Sequence, residues 1–147
     1  MILSSLFLHR ADDAQVDYYQ EIHDAVKNSS LYANESVAQT QLIFNPGAPD
    51  VPEAYLALAD IFVTFEGSAT SYQTFQPAAY TNNYTASRFW HIVYDCNSNA
   101  TINATLQQFT NQTAEYLYMT DLGLPNPYNT LPSIDTWAQL LSYMADV

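Results

Sequence analysis

Positive charge is nearly missing from this chain. Arg10, Lys27 and Arg88 are its cations, set against fifteen acidic residues, so the formal charge is −12 over 147 residues. Too few cations are present to neutralise a phosphate backbone, which argues against nucleic-acid binding. A surface of this sign is also repelled by anionic lipid, so no membrane partner is expected. Cysteine is scarce as well. Cys96 stands alone, and an odd cysteine means either a free thiol or a missing partner. With one cysteine, and with His9, His23 and His91 sharing no helical ligand spacing, no metal centre is expected. Glycine occurs three times, and neither GxGxxG nor GxxxxGK[ST] is present. A phosphate-cradling loop is therefore not expected, and no cofactor is. Without GxSxG there is no nucleophile elbow for Ser-His-Asp chemistry. No stretch approaches the ~20 apolar residues of a membrane-spanning helix, and Met1–His9 is too short, and lacks the charged start, for a signal peptide.

Aromatic residues are abundant, with 12 Tyr, 7 Phe and 2 Trp in a chain that is 48% apolar. That is ample for one domain around one core. Flat rings with little charge suit contact with sugar faces, and suit an ordinary core nearly as well. Asn-x-Ser/Thr occurs at Asn28, Asn34, Asn83, Asn99, Asn103 and Asn111, which points to a secreted glycoprotein, extracellular or in a cell wall. Segments 28–36, 82–85 and 97–113 should then present solvent-facing positions. An export signal is lacking all the same, and the contradiction leads us to expect that the true N-terminus lies elsewhere.

The centre of the chain is Ile61-Phe62-Val63-Thr64-Phe65-Glu66. It is almost entirely β-branched and aromatic, as a buried strand should be, and it ends in a carboxylate. Strict alternation puts Phe62 and Thr64 on the face of Glu66, with Ile61, Val63 and Phe65 on the other. Around it, Ile2–Leu8, Gln41–Phe44, Phe89–Tyr94 and Tyr116–Thr120 read as strands. A helix after Asp12 or Asp13 carries Val16, Tyr19, Ile22, His23 and Val26 at helical spacing and ends at Asn28-Ser29-Ser30. Pro52–Ala59 reads as a short helix and Ser71–Phe75 as a helical turn. Thr101–Glu115 reads as helix through Ile102, Leu106, Phe109 and Thr113. Ile134–Met144 reads as a closing helix with Trp137, Leu140, Leu141 and Met144 on one stripe. Strand–helix alternation repeated about five times predicts a parallel sheet with right-handed crossovers. An open doubly wound sheet and part of a (β/α)8 barrel compete, and the missing phosphate loop weakens the first.

In such folds ligands meet the carboxyl ends of strands. Glu66 is thus a candidate site residue, or else a solvated residue opening a loop. Asn45, before Pro46-Gly47, either shapes a turn or bonds a sugar hydroxyl. Asp121 either orients a sugar or caps the following loop. Tyr94 and Tyr128 either stack on a ring or pack. His91 falls on the face opposite Tyr94, where a structural role against a helix is expected.

The pieces Asn45-Pro46-Gly47, Ala59-Asp60-Ile61 through Phe65-Glu66, Tyr118-Met119-Thr120-Asp121, and Asn126-Pro127-Tyr128 with Leu131-Pro132-Ser133 resemble the spherulin-4 (spherulation-specific family 4) group, which includes secreted hydrolases of glycoside hydrolase family 135. The resemblance covers roughly residues 10–147. It implies a (β/α)8 barrel with its cleft at the C-terminal strand ends. It also implies endo-acting hydrolysis of an N-acetylgalactosamine-containing polysaccharide such as galactosaminogalactan, and it makes Glu66 an acidic catalytic residue. The family's Asp-Glu pair, at the end of the strand Ser5–Leu8, falls here on His9 and Arg10, and neither supplies a carboxylate.

A full barrel of this kind takes about 250 residues, so the chain matches its last five strand–helix units. Residues 1–9 are expected to lie outside the family segment, through a misplaced start or an unspliced intron. Glycoside hydrolysis generally uses two carboxylates, and the acid of the pair needs a raised pKa, for which Phe62, Phe65 and Tyr72 are the expected apolar neighbours of Glu66. The reading is a hydrolase fragment with little or no activity as it stands. Open strand edges and an exposed inner face predict self-association. The alternatives are a non-catalytic carbohydrate-binding or cell-wall glycoprotein and a sporulation-linked structural protein.

Overall fold

The computed structural model describes residues 5–9, 16–29, 41–46 and 53–145. Its elements are β1 (Ser5–His9), α1 (Val16–Lys27), β2 (Gln41–Asn45), β3 (Ile61–Ser68), α2 (Ala69–Tyr72), β4 (Phe89–Tyr94), α3 (Asn99–Phe109), β5 (Tyr116–Met119) and α4 (Ile134–Ala145), with 3-10 turns at Glu53–Ala57, Ala79–Asn83 and Ala86–Arg88. The five strands lie in the order β1-β2-β3-β4-β5, and every pair is parallel. Parallel neighbours in sequence order need a crossover after each strand, and the alternating apolar segments of the sequence supply it. The fold is therefore α/β, with a parallel sheet flanked by helices. Asp12, Asp13, Pro52 and the first residues of the expected Ile2–Leu8 strand lie outside the described residues.

Two apolar clusters join the sheet to the helices. In one, Leu42, Phe44, Phe62 and Phe89 pack with Tyr19 of α1 and with Tyr55 and Leu56 of the first 3-10 turn. In the other, Val93 and Met119 meet Tyr72 of α2, Ile102 and Leu106 of α3, and Leu140 of α4. The opposite face holds Ile43, Ile61, Val63 and Ile92, with Trp90 and Tyr118 packed on them. Those four are buried, and Ile43 and Ile61 line a pocket with the partly buried Trp90 and Tyr118.

The predicted alternation of β3 needs correction. Val63 pairs with Trp90 and Phe65 with His91, so Thr64 is an extra residue in a bulge. A bulge inserts one unpaired residue and bends the strand, and here it resets which side chains share a face. Phe62, Thr64 and Phe65 all meet helix-side groups: Phe62 joins the Tyr55 cluster, Thr64 bonds to His91, and Phe65 lies against Tyr72 and Phe75. Glu66 shares its face with Ile61 and Val63, the reverse of the expectation.

Gly67 follows at a point where a Cβ would sit 2.7 Å from the Phe65 ring carbon Cζ and 3.3 Å from Ser71 Oγ. The Phe65 ring is wedged between Tyr72 and Phe75, at centroid distances of 4.7 and 4.8 Å, and has little room to yield. Gly67→Ala is expected to destabilise the fold by about 1–3 kcal/mol, the usual penalty for overpacking. A shift of the urea midpoint measures it, and an unshifted midpoint counts against a rigid ring.

Two helices differ from the sequence reading. Helix α3 starts at Asn99 because Ser98 and Thr101 form a reciprocal capping box, and it closes at Phe109 rather than running to Glu115. In α4, Leu140 is buried but Trp137 and Leu141 are exposed, so the expected stripe is not the packed one, and the Met144 side chain lies outside the description. The inward positions are Thr136, Leu140 and Tyr143. Asp121 sets that roll, since its Oδ1 accepts from Ser133 N at 2.8 Å and from Thr136 Oγ1 at 3.3 Å, which turns Thr136 toward the core.

Candidate functional site

The C-terminal ends of β2, β3 and β4 bring three side chains to one rim, and the loop after β5 adds a fourth. Asn45, the last residue of β2, is 2% exposed, and its Nδ2 donates to Glu66 Oε2 at 2.5 Å. Tyr128, from the loop, donates its hydroxyl to Glu66 Oε1 at 2.7 Å. Glu66 and Tyr128, together with Tyr94 at the end of β4 and Leu124–Pro127, line a cleft of about 380 Å³. The Tyr118 ring lies 6.3 Å from that of Tyr128.

Backbone bonds hold the loop to the sheet. Thr120 N donates to Val93 O at 3.0 Å, Cys96 N to Thr120 O at 2.9 Å and Asp95 N to Leu122 O at 2.8 Å. Asp95 takes a positive φ of 65° to make the last bond, a conformation that Asp tolerates better than most side chains. Leu124–Pro125 is a cis peptide, and Tyr128 N donates to Asn126 Oδ1 at 3.3 Å, which shapes the turn that presents the Tyr128 ring.

Both Glu66 oxygens act as acceptors. An amide nitrogen can only donate, so Asn45 fixes Oε2 in that role. Burial, and then the bond to Glu66, push the Tyr128 phenol well above its ordinary pKa, so it remains a donor at neutral pH. Burial likewise raises Tyr118.

A family model described as spherulation-specific family 4 matches residues 6–144. The chain belongs to spherulation-specific family 4. No curated protein and no solved structure matched it.

Within this family 4 chain, the sequence-derived candidates part company. Glu66, Tyr94 and Tyr128 line the cleft, and the buried Asn45 stands behind it, bonded to Glu66. Asp121 is engaged elsewhere: the backbone N–H of Ser133 leads the bonds that hold its carboxyl below the usual range, and it serves the start of α4. The expected apolar surroundings of Glu66 are also corrected, because Phe62, Phe65 and Tyr72 lie on the helix side of the sheet, across the bulge. His9 is paired with Asn45 in the β1–β2 register, one strand away from the Glu66 hydrogen bond, while Arg10 lies outside the described residues. Leu124 and Pro125 were missed as lining of the cleft.

His91 takes the structural place expected of it, fully buried on the helix side, with Tyr72 Oη 2.6 Å from Nδ1 and Thr64 Oγ1 3.1 Å from Nε2. Cys96 is a free, buried thiol, pushed up to about 11 chiefly by burial, which makes it a poor nucleophile. Asn28, Asn83, Asn99, Asn103 and Asn111 are exposed, and Asn34 lies outside the described residues. Among the described residues no group of three or more His, Cys, Asp or Glu is placed to hold a metal ion.

Proposed function

We propose that the chain is a carbohydrate-binding glycoprotein of the cell exterior or cell wall, and that its sugar site is the cleft around Glu66. The supporting observation is the presentation of the Glu66 carboxylate between Asn45 and Tyr128 at the strand ends, in a cleft that the Tyr94 ring also lines. A carboxylate accepts bonds from sugar hydroxyls, and flat rings cover the apolar faces of sugars. Calorimetric titration with an N-acetylgalactosamine oligosaccharide tests the reading. Tyr128→Ala, which removes both a ring and an orienting bond, is expected to weaken binding about tenfold or more. Equal affinity in this variant would remove the cleft from the proposal, and no binding by the unaltered chain would remove the function.

A second reading is favoured by the position of Glu66 at the C-terminal ends of parallel strands, where glycoside hydrolases of (β/α)8 form carry their acids. On the resemblance to glycoside hydrolase family 135, the chain would supply five units of such a barrel and Glu66 one catalytic carboxylate for a galactosaminogalactan-type polymer. The matched positions His9 and Arg10 supply no second carboxylate, so turnover is expected to be low. The outer edges of β1 and β5 would then favour self-association, which gel filtration reads directly. Product release from the polymer that is unchanged in Glu66→Gln would end the hydrolase reading.

A further inference from the structure

The sheet edge beyond β5 is built to receive another strand. We propose that this strand is β1 of a second copy, and that two copies close into one ring of parallel strands about a twofold axis. The inference goes beyond both readings of the cleft and does not depend on a sugar. It gives the open strand edges a defined partner.

Among the described residues, β5 pairs with β4 alone and β1 with β2 alone. Thr120 gives its N–H to Val93 and its carbonyl accepts from Cys96, both on the β4 side. Alternation therefore turns the N–H and C=O of Leu117 to the open edge. A pocket of about 370 Å³ follows that edge, with Trp90, Tyr116 and Tyr118 on one face and Leu117, Leu140 and Tyr143 on the other. The helices say what belongs there. Helix α1 follows β1 and packs on Leu42 and Phe44 of β2, and α3 follows β4 and packs on Met119 of β5 as well as on Val93. Helix α4 follows β5 without a further strand to cover among the described residues. Its Ile134, Trp137 and Leu141 stand 84%, 38% and 60% exposed at helical spacing, and an apolar stripe of that kind marks a contact surface.

A strand entering this site is buried on both faces, so it must be apolar at successive positions. The β1 sequence Ser-Leu-Phe-Leu-His meets that need, and it is already extended and parallel to its neighbour. Neither β1 nor β5 contains an acidic residue, so the seam avoids the repulsion that −12 charges per copy would bring elsewhere. Asp95 and Asp121 come just past the ends of β4 and β5, while Arg10 follows the end of β1 in sequence. Parallel docking therefore brings a cation toward two acids. Pairing β5 of each copy with β1 of the other leaves no strand edge open. Eight strands enclose a space that side chains just fill. Two sheets of five enclose more, and the rings of Trp90, Tyr116 and Tyr118 supply the bulk. His9 ends β1 level with Asn45, so the second copy's β1 ends at the rim beside the loop that carries Tyr128, and each cleft gains a wall from the other copy.

Sedimentation equilibrium of the whole chain, with hydrogen exchange read by mass spectrometry, tests the inference. A discrete dimer is expected, with the amides of both Tyr116–Met119 and Ser5–His9 exchanging more slowly as concentration rises. Trp137→Glu combined with Leu141→Glu sets two charges in the seam from exposed positions and should weaken the dimer about tenfold or more. The concentration series on the unaltered chain carries the test if the double variant does not fold. A monomer at every concentration means that some other chain covers the edge, and overturns the inference. A dimer protected at Tyr116–Met119 but not at Ser5–His9 also overturns it, since β5 would then be pairing with itself. So do open-ended larger assemblies, in which no ring has closed. A dimer equally tight in the double variant puts the contact elsewhere and overturns it as well.

Discussion

Replacing Arg88 by alanine is expected to cost about 2–4 kcal/mol of stability, since it takes a charged donor from three main-chain carbonyls. Arg88 closes the last 3-10 turn before β4 and reaches back across the strand ends. Its Nε donates to Asp60 O at 2.8 Å, and one terminal nitrogen donates to Leu56 O at 2.5 Å and to Ala59 O at 2.7 Å. Its guanidinium also lies 5.8 Å from the centre of the Tyr84 ring. The carbonyls it serves belong to the end of the turn Glu53–Ala57 and the segment leading into β3, where a helix end leaves acceptors without partners. Leu56 and Ala59 are buried, so water reaches those oxygens poorly once the side chain is gone. The partial exposure of Arg88 itself lets some water in, which keeps the loss below the sum of three separate bonds. Arg88→Lys should recover less than half, because an ammonium carries its donors on one atom and cannot span acceptors that Arg88 reaches from two nitrogens. Urea unfolding of the two variants beside the parent decides it. A change within about 0.5 kcal/mol, the level of an ordinary surface substitution, would show that the carbonyls find other partners.

The strand–helix order was legible because each strand is a short β-branched or aromatic run bounded by turn residues, and each helix carries an apolar stripe. The rim was legible for the same reason: Asn45, Glu66 and Tyr94 fall at or near the ends of such runs, and Asn126-Pro127-Tyr128 is a marked turn. The face on which Glu66 points was not. Nothing between Ile61 and Glu66 is a glycine or a proline, so the bulge at Thr64 has no local signature. It depends on a distant partner, since the buried Thr64 hydroxyl finds His91 Nε2 at 3.1 Å, 27 positions further on. The roll of α4 was hidden in the same way. Its side-chain spacing permits either of two stripes, and the choice is made by Asp121, which bonds Ser133 and Thr136 from the loop after β5. In both places a short-range pattern left two options of similar quality, and one long-range polar contact selected between them. The same contact explains why Asp121, which ends its strand as a site acid would, points away from the cleft.

Acid is expected to weaken the fold from about pH 6.5 downward, and His91 is the cause. The ring is fully buried, with Phe75 and Phe109 centroids 5.4 and 6.1 Å away and with Tyr72 and Thr64 as its hydrogen-bond partners. Burial pushes its pKa from 6.5 down to about 4. The unfolded chain therefore binds this proton more readily than the folded one, and stability falls as pH falls. The contribution is complete above pH 6.5 and is lost progressively down to about pH 4, a total of about 3 kcal/mol at 1.36 kcal/mol per pKa unit. Asp121, held below the carboxylate range, loses its own contribution only at lower pH, so the two windows separate. His91→Gln keeps a donor and an acceptor near Tyr72 and Thr64 but cannot take up a proton. It should lower stability at pH 7 and flatten its dependence on pH between 6.5 and 4. Urea midpoints collected across that window measure both slopes. A parent protein equally stable at pH 6.5 and 4.5, or a variant that keeps the parental slope, would mean that this imidazole is not the group whose protonation opens the helix-side core.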